Sequence, residues 1–296
     1  MVVLKLPPVT RSFIFLVLAL SLYCMAFRWW NAPADDASPA GYPHYLVLVI
    51  GRTPWWAIWT LATTNLVEVQ FVPLVIVLAV VATGGRYCEK IWSSRSYLRL
   101  IVVSLIASTF IETVLWSCVA ELPLLVCGAN SLLAGIVVAL KQMVPSHTII
   151  LLRNRVRLQI RWLPLSFLVL VTALSAVGLE HNVCAYYLGF VGSWFFLRFH
   201  HETEGIGHGD ASDAFSFAQF FPGPLSRLVQ VPADRIYALL AGKLGIVRQF
   251  TPEEIEDGNQ RYAARLAGTL LPKYGKGARV TNERRRIMLQ ALDRTL

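Results

Sequence analysis

Residues 97–119 read YLRLIVVSLIASTFIETVLWSCV, with one cation, Arg99, near the start and one acid, Glu112, in the second half. A run this long and apolar matches the roughly 20 residues that carry a helix through about 30 Å of hydrocarbon. Only a helix or a closed barrel satisfies every backbone group there, so the run is expected as a membrane-spanning helix. Similar runs lie at 12–30 and 62–83 on one side and at 122–144, 162–179 and 184–199 on the other. Little but Glu180, His181 and Asn182 separates the last two. Composition agrees: of 296 residues, 55% are hydrophobic and 15% charged, with a mean hydropathy of +0.54, outside the habit of soluble domains. The expected fold class is all-α, a polytopic membrane helical bundle of about six spans. Pro54–Trp59, with three Trp, reads as an interfacial segment, because indole prefers the headgroup level.

Charge divides the chain. Residues 201–296 hold 13 of the 27 Lys and Arg and 11 of the 18 acids. This predicts two parts, a membrane domain over 1–200 and a helical tail over 201–296. Cationic loops face the cytosol. Lys5 and Arg11 precede the first span, Arg86, Lys90 and Arg95 follow the second, and Lys141, Arg153, Arg155, Arg157 and Arg161 follow the fourth. The loops near Glu121 and His181 carry none. An even number of spans with both termini cytosolic follows. A cleaved signal peptide ending near Ala32 or Ala34 is the competing reading of the first run, and Arg28-Trp29-Trp30 and Pro33 argue against it.

Cys24, Cys88, Cys118, Cys127 and Cys184 show no paired spacing and read as small core residues. His200, His201 and His208 lack a second ligand pair, so a polar linker is the simpler reading and no metal or cofactor is expected. Glu68 and Glu112 fall within predicted spans, where an ionised group costs about 2.5–3.5 kcal/mol on insertion scales. They either line a polar cavity or lie near the luminal interface. Gly128, Ser131 and Gly135, then Gly189 and Gly192, place small residues at spacings that let helices approach closely in lipid.

Four strings carry a family resemblance: GGRYCEKIWSSRSYLR (84–99), ALKQMVPSH (139–147), SWFFLRFHHETEGIGHGDASDAFSFAQFFPGPL (193–225) and ERRRIMLQALDRTL (283–296). Together they resemble the transmembrane protein 115 family of rhomboid-like Golgi membrane proteins. The resemblance implies a Golgi location, a role in retrograde Golgi-to-endoplasmic-reticulum transport, and trafficking or tethering machinery as partner. It also raises an intramembrane serine protease, which needs a Ser nucleophile in a Gly-x-Ser-Gly setting, a His base and oxyanion donors. Laid on that motif by Gly128, the nucleophile position holds Asn130 and the next position Ser131. The base position falls near Tyr187 and the oxyanion positions near Pro73 and Val77. The catalytic groups are therefore expected to be missing and the protein to be a pseudoprotease. A residual protease using Ser131 and a chaperone for membrane clients are the alternatives.

In the tail, Asp210, Ser212 or Asp213 is expected to cap a short helix bearing Phe215, Phe217, Phe220 and Phe221, stopped by Pro222. Asp210, Asp213 and these four Phe form the expected recognition block, whose rings dock on the bundle or lie beside the headgroups. Residues 234–247 read as an amphipathic element, Pro252–Asp257 as an acidic turn, and Glu283–Leu296 as a basic helix able to meet anionic lipid. Membrane lipid is thus one expected partner and a second copy of the chain another. The net charge of +9 needs no nucleic acid, for which no fold signal exists.

Overall fold

The computed structural model describes residues 6–31, 41–119, 124–145, 147–151, 156–179, 182–203, 207–243, 245 and 247–266. Helix α1 (Pro8–Asn31), the short α2 (Thr60–Thr63) and α3 (Phe71–Trp92) are followed by α4, Ser94–Val119, which contains the run 97–119. Along α4, Tyr97, Leu100, Ser104, Ser108 and Glu112 are buried, one per turn. Leu98, Val102, Ile106 and Phe110 between them are exposed. The inward stripe follows the 3.6-residue period, and the apolar outer face is the one lipid covers. Helices α1, α3 and α4 are each long and apolar enough to cross a membrane. Then come α5 (Asn130–Met143), α6 (Leu163–Ala176), led in by a tight turn over Ile160–Trp162, and α7 (Val183–Phe195), prolonged by a π-turn over Phe196–His200. The result is a helical membrane bundle.

Helix α5 is its centre. Every α5 residue except Leu140 is buried, as the all-round apolar stretch Leu132–Ala139 leads one to expect. Small residues let its neighbours close in. A Cβ on Gly189 of α7 would overlap the Ser131 backbone, and one on Gly135 would sit 2.8 Å from Ser104 Oγ and 2.5 Å from Ser193 Oγ. Those two hydroxyls share a 2.7 Å hydrogen bond where α4, α5 and α7 meet.

Two spans start later than the apolar runs suggest. The second run begins at 62, yet α3 begins at Phe71. Residues Thr64–Leu66 form a tight turn whose polar side chains are needed elsewhere: Thr64 receives the Leu48 amide at 3.2 Å and donates to the Val126 carbonyl, and Asn65 accepts from Thr109 at 2.8 Å. Helix α3 continues to Trp92 through a π-turn over Val81–Gly85, where Gly85 leaves room for the Tyr97 ring. The fourth run begins at 122, but Leu124–Val126 form strand β2, antiparallel to β1 (Leu48–Ile50), and α5 starts only after Gly128 turns at φ +98°. A second hairpin, β3 (Thr148–Leu151) with β4 (Val156–Gln159), links α5 to α6. Trp55, Trp56 and Trp59 are exposed, as an interfacial segment requires.

After α7, β5 (Glu202–Thr203) pairs with β6 (Gly207–His208). The expected Phe-bearing helix is instead two tight turns, Asp213–Phe215 and Phe217–Phe220, and Ser212 makes no side-chain cap. Its backbone follows side chains that must point inward at irregular intervals. The amphipathic element expected over 234–247, with Asp234 as its cap, instead belongs to a longer helix, α8, which covers Gly223–Ala238 with a π-turn to Lys243, so Asp234 lies inside it; Pro224, at its first turn, is tolerated there. The expected acidic turn is the first part of α9, Pro252–Leu266. Residues 283–296 lie outside the described residues.

Candidate functional site

At the end of the bundle where α5 and α7 begin, buried acids meet helix amino termini. Glu68 is 5% exposed. Its carboxylate accepts the Ala129 amide at 2.8 Å, just ahead of α5, and lies 3.1 Å from where a Gly128 side chain would begin. The Gly128 amide donates to the Thr64 carbonyl at 3.1 Å. Glu112 lies against Trp116 and Asn182, and Asn182 is the N-cap of α7, accepting the Ala185 amide at 3.4 Å. Glu89, which the sequence places in a basic loop, does the same for α1. It accepts the Val9 and Thr10 amides at 3.0 and 2.7 Å and hydroxyl hydrogens from Thr10 and Ser94, each at 2.7 Å. Free amides and the positive end of the helix dipole explain the placements of Glu68 and Glu89, while Glu112 meets the capping side chain of α7. Gly128, with its positive φ, and the acids thus serve to place α5 and α7.

Ser131 is 2% exposed and its backbone is pressed on Gly189; Asn130, also buried, opens α5. The expected base position at Tyr187 faces away: its hydroxyl meets Thr172 of α6 at 2.9 Å, and half the ring is exposed. Helical rotation turns Tyr186 inward instead, against Phe167. Val77 is buried and apolar. His147, His200 and His201 lie at the opposite ends of α5 and α7, about 16 Å or more along the helices from Ser131 and the Gly189 packed on it. His44 belongs to the loop whose Tyr42 and Val47 form an apolar cluster separate from that of α5. His181 lies outside the described residues. Among the described residues, then, no aligned base reaches Ser131.

The opposite end holds the tail. Phe215 and Phe220, 2% and 1% exposed, belong to the same apolar core as α5 and α7, with Phe217 and Phe221 packed on its edge. Phe220 stands edge-on to Phe190 of α7 at 5.1 Å, and Phe217 lies 5.0 Å from Trp194. Between them the sequence concealed a polar clamp. Lys141 on α5, counted among loop charges, is 3% exposed; its ammonium donates to the Gln219 carbonyl at 2.9 Å and lies 3.4 Å from the Phe220 ring centroid. Trp194 donates to the Phe215 carbonyl at 3.0 Å. Arg198 donates to the carbonyls of Asp210, at 2.6 Å, and Ser212.

Asp210 gathers the rest. It accepts from Gln142 at 3.0 Å, from the Ser212 hydroxyl at 2.7 Å, and pairs with Arg265 of α9 at 3.4 Å. Burial alone would raise its pKa, but the Arg265 charge and these hydrogen bonds outweigh it and hold the carboxyl below the usual Asp range. Asp213 is fastened to Asn259 of α9, accepting at 2.8 Å. Gly209 makes the approach possible at φ +80°, where a side chain would strike the Arg198 carbonyl. His201 packs its ring 4.6 Å from Trp92 and is a buried residue, not part of a free linker. ALKQ and GD…SD…F…FFP, which stand far apart in sequence, are the two halves of this contact.

Fold and site together define a polytopic helical membrane protein with its tail packed into the bundle. The family model described as Eukaryotic integral membrane protein (DUF1751) matches residues 11–296, and the chain belongs to that family. It is similar to "Transmembrane protein 115" of Mus musculus, 31% identical over 75% of this chain and 62% of that protein. It is also similar to "Rhomboid-like protein 19" of Arabidopsis thaliana, 29% identical over 69% of each. "Transmembrane protein 115 homolog" of Saccharomyces cerevisiae is 22% identical over 98% of this chain and 92% of that protein. The chain's match thus spans 62% of the length of the mammalian relative.

Proposed function

We propose that this is a non-catalytic, rhomboid-like Golgi membrane protein that supports retrograde Golgi-to-endoplasmic-reticulum transport by presenting its cytosolic tail to trafficking or tethering machinery. Location and route are drawn from the family resemblance. The alternation of basic loops supports cytosolic termini. What carries the scaffold reading is the clamp: Lys141, Gln142, Trp194 and Arg198 hold residues 210–221 rigidly on the bundle, so α8 and α9 are offered at a fixed place beside the membrane. A buried Ser131 that no aligned base reaches among the described residues supports the non-catalytic reading.

The test is co-precipitation of transport machinery with the full chain and with the double variant Phe220→Asp, Phe221→Asp, both at normal abundance and correctly inserted. Recruitment should fall when the tail is released. Equal recruitment by both would overturn the scaffold reading and return attention to the membrane core around Glu68 and Glu112.

A further inference from the structure

Helix α8 packs on the bundle along one side only. Val229, Ala233 and Tyr237 are half-buried, and Tyr237 stacks on Phe199 at the end of α7 with centroids 5.9 Å apart. At about 100° per residue, Leu225, Leu228, Ile236 and Leu239 fall on a stripe a quarter-turn from that packed side. All four are exposed, Leu228 to 72%. The polar Gln230 and Asp234 lie on the other flank, where they line a recess with Trp194 and Arg198. Arg235 borders the apolar stripe, while Arg227, seven residues before Asp234, lies on the opposite flank with it.

Four large aliphatics in one stripe are too many for a water-facing surface, and the path into α8 shows what covers them. Phe217 and Phe220 pack on Phe190, ten residues before the end of α7 at His200. That is about 15 Å along the helix, within the depth of the span. The chain therefore emerges into α8 from membrane level, and the stripe continues the apolar belt of the bundle.

We propose that α8 is an in-plane membrane anchor whose Leu225, Leu228, Ile236 and Leu239 sink into the headgroup–acyl boundary on the tail side, with Arg235 at anionic headgroups. The inference does not depend on the transport role. To test it, full-length protein carrying Leu228→p-benzoylphenylalanine or Ile236→p-benzoylphenylalanine is reconstituted into phosphatidylcholine vesicles with or without phosphatidylserine. It is then irradiated, and the α8 peptide is weighed. Gln230→p-benzoylphenylalanine and Asp234→p-benzoylphenylalanine serve as references on the opposite flank. All four side chains are exposed apart from the Gln230 and Asp234 contact with the recess, so folding is retained. Lipid adducts should form at 228 and 236 several-fold more than at 230 and 234, and Arg235→Gln should reduce the preference for phosphatidylserine. Equal adducts at all four positions would overturn the proposal. So would adducts at 228 and 236 that join two copies of the chain, or, in native membranes, another protein in place of lipid.

Discussion

Phe220→Ala should loosen the tail without unfolding the spans. Phe220 is 1% exposed, touches Phe190 and Phe215 with ring centroids 5.1 and 5.6 Å away, and lies beneath the Lys141 ammonium. Truncating a buried Phe costs about 3–5 kcal/mol in transfer and cavity terms. At 1.4 kcal/mol per tenfold, the open form of residues 210–221 becomes about 100- to 3,000-fold more populated. Hydrogen exchange of the full chain in nanodiscs reads this directly, through the Phe215 and Phe221 amides, which donate to the Ser212 and Ala218 carbonyls. Their exchange should accelerate by that factor, while amides of α4 and the first half of α5 stay within a few-fold. Acceleration below tenfold at 210–221 would refute the reasoning that these rings hold the tail. Equal acceleration throughout the bundle would show that tail and spans open as one unit.

Other substitutions probe the two ends separately. Gly189→Ala places a methyl on the Ser131 backbone and should destabilise the bundle by at least the 1–3 kcal/mol of ordinary overpacking, whereas Gly192→Ala, with nothing nearer than Ser108 Oγ at 3.8 Å, should be tolerated; thermal unfolding in detergent compares them. Glu68→Leu orphans the buried Ala129 amide, at about 1–3 kcal/mol, and should cost more than Glu68→Gln, which keeps an acceptor and loses only charge; equal melting temperatures for both would contradict the capping role. Asp210 has its carboxyl held below the ordinary value of 3.8, so its contribution to docking is full above that value and is lost as pH falls through the lower folded value. Exchange at 210–221 should therefore show no Asp210-dependent change from neutral pH down to about 4.5, and Asp210→Asn should weaken docking across that range.

The spans were legible because lipid imposes one rule, continuous apolar helix, and residues 97–119 obey it from end to end. Where the structure departs from the runs, polar side chains had tertiary partners that a hydropathy window does not see. Thr64 and Asn65 tie β1, β2 and α4 together and delay α3, while the Leu124–Val126 run is equally good as strand and as span. The acids at positions 68 and 112 stand out as costly, but their partners, the Ala129 amide and the Asn182 side chain, lie dozens of residues away, and Glu89 reads as an ordinary loop charge. The tail aromatics announced burial by their number. Lys141 and Arg198 did not, since a cation near a span end reads as a topology signal, and only the fold shows that a carbonyl and a ring await it.

The central claim is that the protein works through a docked tail and not through Ser131. Its most direct test is the rate of Golgi-to-endoplasmic-reticulum transport in cells lacking the protein and supplied with one of two variants at matched abundance, Ser131→Ala or Phe220→Asp with Phe221→Asp. The account predicts that Ser131→Ala restores transport fully and that the tail variant does not. Failure of a stable, correctly located Ser131→Ala chain, together with rescue by the tail variant, would contradict it.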